Sequence, residues 1–174
     1  RFIRVNDTNC AISFPRSWRS LANVGNAMST TTFEIIRTGS STTSSSSDRT
    51  VLADTSHTLL AYSTSETLKT VFLTDNETAP TSGTAKLRVF NGAAEAGALD
   101  VYVTAPDATL AESTATVSAL GTERISGYSE ISTGTYRVRV TGSGDKTDLR
   151  LDIDGISLAD QRITTLVTTM LIRL

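Results

Sequence analysis

The chain states nearly the same pattern twice. Ile3-Arg4-Val5-Asn6 returns as Leu87-Arg88-Val89-Phe90-Asn91. Thr32-Phe33-Glu34-Ile35-Ile36-Arg37-Thr38-Gly39 returns as Thr135-Tyr136-Arg137-Val138-Arg139-Val140-Thr141-Gly142. Leu52-Ala53-Asp54 returns as Leu158-Ala159-Asp160, each time before a Thr-rich apolar run. Three matches in one order imply two copies of one fold, because an internal repeat of this length is a structural unit used again. A length of 174 residues gives each copy about 80–90, enough for a small core of its own. The expected organisation is a first repeat over 1–80, a linker over 81–84 around Ser82-Gly83, and a second repeat over 85–174.

The local pattern is that of strands. Lys86-Leu87-Arg88-Val89, Leu99-Asp100-Val101-Tyr102-Val103, Tyr136 to Val140 and Leu149 to Ile153 alternate apolar with polar, the two-residue period of a half-solvated strand. Asn91-Gly92, Ala105-Pro106-Asp107, Gly142-Ser143-Gly144-Asp145 and Asp154-Gly155 separate them and carry turn chemistry. Hydrophobic residues make up 39% of the chain, and Ser and Thr fill the remainder. Thr is β-branched and suits a pleated surface, so composition agrees with pattern. Short helices are expected at most near Pro15–Ala22 and Pro106–Ser113. The expected fold class is all-β, two tandem antiparallel sandwiches. Alternation assigns Leu87, Val89, Leu99, Val101, Val103, Tyr136, Val138, Val140, Leu149, Leu151 and Ile153 to the core of the second repeat. It places Arg137, Arg139, Arg150 and Asp152 in solvent. The hydroxyl run Ser40 to Ser47 contains no apolar anchor and reads as a mobile loop.

Leu87-Arg88-Val89-Phe90-Asn91-Gly92-Ala93, then Leu99-Asp100-Val101-Tyr102-Val103, then Tyr128 and Gly134-Thr135-Tyr136 resemble the bacterial envelope family catalogued as domain of unknown function 4397. The likeness runs over residues 86–168. In residues 1–75 it is confined to the opening strand, the Phe33 strand and the Leu52 to Ala61 strand, with no Asp-Val-Tyr-Val element. The resemblance implies an immunoglobulin-like sandwich in an exported protein of the bacterial periplasm or cell surface, often a lipoprotein. It implies no catalytic residue, cofactor or metal.

The candidate chemistry is sparse. His57 is the single histidine, with Asp54 and Ser56 beside it; a hydrolytic triad uses these residue types, but assembles them through the fold rather than by adjacency. Asp148, Asp152, Asp154 and Gly155 suggest a surface calcium site, although the spacing fails the helix-loop-helix pattern. The simpler reading makes Asp152 a wet strand face and Asp154-Gly155 a turn. Cys10 is the one cysteine, which excludes an intrachain disulfide and leaves pairing between chains open. Trp18, between Arg16 and Arg19, reads as a plug over the first sandwich or a carbohydrate platform. Tyr102 and Tyr136 read as packing residues. Asn6-Asp7-Thr8 and Asn76-Glu77-Thr78 fit the glycosylation triplet, a pattern that arises by chance in a Thr-rich chain.

A net charge of −2, with signs interspersed, offers no basic stripe for nucleic acid. No stretch approaches the ~20 apolar residues of a membrane-spanning helix. The expected function is a non-catalytic envelope module that binds or scaffolds a protein or polysaccharide, with no cofactor. The rival is a structural subunit of a surface assembly, a homo-oligomer joined by strand pairing between copies. A hydrolase is the third reading.

Overall fold

The computed structural model describes residues 10–13, 29–37, 41–63, 67–75 and 78–169. Every regular element among them is a strand, as the alternating pattern requires. The chain divides into two compact units, Arg1–Glu77 and Thr78–Leu174.

In the first unit β1 (Cys10–Ser13), β2 (Ser29–Arg37) and β3 (Thr43–Val51) form one antiparallel sheet with β2 in the middle. A hairpin of β4 (His57–Ser63) and β5 (Leu68–Thr74) forms a second. Ile35, Leu59, Tyr62 and Leu73 are buried, and Phe33 meets Phe72 at a ring separation of 5.6 Å. The expected mobile loop is mostly strand. Thr43 to Ser47 lie in β3, paired residue by residue with Phe33 to Ile36 of β2 across one register shift. The segment has no anchor of its own, but β2 supplies both the hydrogen-bond ladder and the buried Ile35. Composition judged it alone, and the neighbouring strand decided.

The second unit holds β6 (Thr84–Asn91), β7 (Leu99–Thr104), β8 (Val117–Leu120), β9 (Ser129–Ser132), β10 (Gly134–Gly142), β11 (Asp145–Leu158) and β12 (Ile163–Thr168). They form two sheets, β11-β10-β7-β8 and β12-β6-β9. The pairing is antiparallel except that β12 runs parallel to β6, which corrects the expectation of purely antiparallel sheets. In the first unit β1 pairs with β2, which pairs with β3; here β7 pairs with β10, which pairs with β11. Cys10–Ser13 therefore takes the place of the Asp-Val-Tyr-Val strand that the first half lacks in sequence. Residues 81–84, expected as a linker, are bonded into this unit: Gly83 N–H donates to Asp160, Thr84 N–H to Thr81 O, and Thr84 opens β6. Residues 106–113 form turns rather than a helix.

The core is the cluster Val89, Leu99, Val101, Leu120, Val138 and Val140, with Leu166, Ile156 and Val103 packed on it. Leu87 is buried as expected, while Val103 and Tyr136 are half-buried. Three assignments fail: Leu149, Leu151 and Ile153 are 46%, 40% and 41% exposed. The cause is β11 itself, an edge strand with irregular register. Ile153 pairs with Val138 and Leu151 with Val140, but Leu149 pairs with Thr141, so one residue, Arg150, bulges out. Leu149 is thereby carried to the opposite face, and its neighbours overhang the rim of the core. Asp154-Gly155 is a second irregularity rather than a turn. The strand continues through it to Leu158, with Gly155 at a φ of 74° that favours glycine.

The solvent assignments fail in the other direction. Arg139 and Arg88 are each 4% exposed and Lys86 is 8% exposed. Arg139 donates to Thr104 Oγ1 at 2.7 Å, Arg88 Nε to Thr165 Oγ1 at 2.9 Å, and Lys86 Nζ to Thr78 O at 2.7 Å. Long cationic side chains lie along the sheet and find hydroxyls and carbonyls within the fold.

Candidate functional site

The structure does not bring His57, Asp54 and Ser56 into a triad. His57 stacks on Phe72 at 4.8 Å, and its Nδ1 faces Thr55 O at 3.1 Å, an acceptor that assigns the proton to Nδ1. Asp54 sits at a φ of 52° in the turn before β4, and Ser56 lends its carbonyl to Asp75 N–H. All three shape a turn and a strand start. The calcium candidates are likewise engaged elsewhere. Asp152 accepts a bidentate pair from Arg137 at 2.7 and 2.6 Å, and Asp148 pairs with Arg150. The Arg137 hydrogen bond holds the Asp152 carboxyl below its usual range. Among the described residues no group of three His, Cys, Asp or Glu is arranged to hold a metal. Trp18, Asn6 and Asn76 lie outside the described residues, as does the side chain of Cys10.

The motif residues turn out to be pins. Asn91 is fully buried; its amide donates to Gly97 O and Leu120 O at 3.0 Å, while its oxygen accepts from Ala93 N–H. Gly92 beside it is tightly enclosed, since a Cβ would stand 3.0 Å from both the Phe90 ring and Thr168 O. Asp100 accepts from Ala119 N–H at 2.7 Å and Gly144 N–H at 2.9 Å, tying β8 and the β10–β11 hairpin to β7. Burial pushes its carboxyl upward, but these backbone donors and the Ser143 hydroxyl outweigh it and hold the pKa below the usual value. Tyr102 lies beneath Lys146 Nζ at 5.9 Å, and Tyr136 donates to Ser132 O at 2.7 Å. Both tyrosines pack as expected.

Among the described residues a shallow, open depression of about 530 Å³ lies between β8 and the segment leading into β9. Its walls are β8, an edge strand, and the irregular segment that follows it up to Ser129 at the start of β9. Ser118 and Arg124 are exposed on its lip, and half-buried Tyr128 and Ser129 form part of its wall. The Tyr128 ring is braced by the Arg88 guanidinium at 4.8 Å. Ala119 and Glu123, in and beside the depression, hold positive φ values of 50° and 59°, a strain tolerated where surrounding structure fixes the backbone. Arg124 has no carboxylate partner among the described residues, in contrast to Arg137 and Arg150. A guanidinium, hydroxyls and a ring edge can grip an oxygen-rich ligand by hydrogen bonding. Sequence reading missed this site because Arg124 lies outside any motif. The only signals were Gly121 and Gly127, which bracket the irregular stretch.

Residues 23–102 match the family model described as Domain of unknown function (DUF4397). The match takes in the Leu87 to Tyr102 motifs and extends back into the first unit, rather than forward over 86–168. No curated protein matches the chain.

Proposed function

We propose that the chain is a non-catalytic recognition module of the bacterial periplasm or cell surface, which holds another macromolecule, protein or polysaccharide. The observation that carries this reading is the open depression between β8 and β9, with exposed Arg124 on its lip. Its groups bind rather than cut: guanidinium and hydroxyls are present, and no nucleophile stands beside a base there. The candidate acids and the histidine are each held in structural contacts within their own units. A shallow polar trough suits repeated weak contacts along a polymer better than enclosure of a small molecule. The test is an NMR titration of the full chain with an oligouronate and, separately, with an acidic peptide. Shifts confined to residues 116–129, and affinity weakened about tenfold by Arg124→Ala, support the reading and name the partner class. Shifts with neither probe, or a hydrolytic activity lost in His57→Ala, overturn it.

A further inference from the structure

We propose that the free edge of β11 is the docking surface for a second copy of this chain, paired antiparallel about a two-fold axis near Leu149 to give a closed dimer. β11 is 14 residues long and stands at the edge of its sheet, with β10 on one side and no strand on the other among the described residues. Residues 145–155 are exposed, and only the Lys146 and Arg150 side chains reach back to the unit, to Ala111 O and Ser113 O and to Ala96 O. Leu149, Leu151 and Ile153 fall within five residues of one another on it. A long edge with apolar side chains is the feature that folded proteins ordinarily cover.

The charge order on this strand points to a copy of itself as the cover. Lys146, Asp148, Arg150 and Asp152 alternate in sign. Turning the strand end for end about Leu149 sets Lys146 opposite Asp152 and Asp148 opposite Arg150, and symmetry repeats both pairs. No like charges meet. A centre at Arg150 sets Arg150 against itself and Asp148 against Asp152, and a centre at Leu151 sets Asp148 against Asp154. Opposite charges across paired strands are favourable and like charges unfavourable, so the sequence selects one register. The existing Arg150–Asp148 pair, at 2.6 Å, then becomes half of a four-charge cluster. The irregularities at Arg150 and at Asp154-Gly155 keep the paired stretch short. Each copy uses its only β11 edge, so the contact closes at two and does not propagate.

The test is sedimentation equilibrium of the full chain across a concentration series, with hydrogen exchange read at low and high concentration. The expected result is a reversible monomer–dimer equilibrium with residues 147–151 protected only in the dimer. Arg150→Asp sets Asp148 against a new aspartate and weakens the dimer about tenfold, whereas Asp148→Arg combined with Arg150→Asp restores it. Unchanged circular dichroism spectra exclude misfolding in these exposed positions. A monomer at every concentration, growth beyond two, or a swapped pair that fails to restore pairing overturns the proposal. Arg124→Ala leaves the dimer intact, so failure here and failure of the recognition site are read separately.

Discussion

Replacing Asp100 by Asn tests whether the Asp-Val-Tyr-Val motif is a structural pin. The carboxylate is 7% exposed and accepts two backbone N–H groups, one on β8 and one in the β10–β11 hairpin. The amide keeps the shape but offers one acceptor, so one of the two donors faces an N–H₂ group inside the fold. Losing a part-buried hydrogen bond to a charged acceptor costs about 1–3 kcal/mol. For a unit of this size that lowers the melting temperature by roughly 4–8 °C per kcal/mol. The pH dependence supplies an internal control. The folded-state pKa lies below the unfolded value, so the carboxylate's contribution is complete above the unfolded value, near 3.9, and is lost as pH falls through the folded pKa. Asn cannot titrate. Melts of both proteins followed by circular dichroism from pH 7 down to pH 2 therefore show a gap at neutral pH that narrows below about pH 4. Asp145 and Asp152, also held low by hydrogen bonds from Thr147 and Arg137, weaken both proteins alike and cancel in the difference. Equal melting at pH 7, or a gap of constant size at every pH, refutes the pin.

Urea denaturation of Leu99→Ala shows a loss of about 2–5 kcal/mol, whereas Leu149→Ala, at an exposed edge, stays within about 0.5 kcal/mol. Comparable losses would show that the edge assignment is wrong. Arg139→Asp unfolds or strongly destabilises the second unit, since it replaces a buried guanidinium by an unpaired buried carboxylate at a cost of about 3–5 kcal/mol. A near-silent melt would contradict it. Gly92→Ala lowers the melting temperature, because its Cβ meets the Thr168 carbonyl oxygen, which cannot rotate away.

How far the fold could be read from sequence depended on regularity. Where β7 and the middle of β10 keep register without interruption, alternation placed Val101, Val138 and Val140 correctly. Where β11 shifts register, the same rule failed, because one bulged residue exchanges the faces of everything beyond it. Period also predicts which face a side chain takes, but not what covers that face. Arg139 and Arg88 point away from the core as expected and are nevertheless buried. The hydroxyl-rich stretch of β3 was misread for a related reason, since strand formation there depends on β2 and not on its own residues. The depression carries no motif because it is made by β8 and the irregular segment after it, whose path follows from the fold and not from a local pattern.

These facts together separate what makes the fold from what uses it. Asn91, Gly92 and Asp100 fall in the stretch that matches the family model, and each is engaged with backbone of its own unit. Asn91 ties β6 to the loop before β7 and to the end of β8, while Asp100 ties β7 to β8 and to the hairpin after β10. Residues with these duties are required whatever the protein binds, so a family recognised through them is defined by architecture. In the function proposed above, binding rests on positions the architecture leaves free, which are the edges of the two sheets. One edge opens the depression beside Arg124, and the other presents the alternating charges of β11. Substitutions at Arg124, whose side chain is exposed, therefore alter binding at nearly unchanged stability, and those at Arg150 lose only its exposed contacts to Asp148 and Ala96 O, whereas substitutions at Asn91 or Asp100 lower stability first and binding only as a consequence.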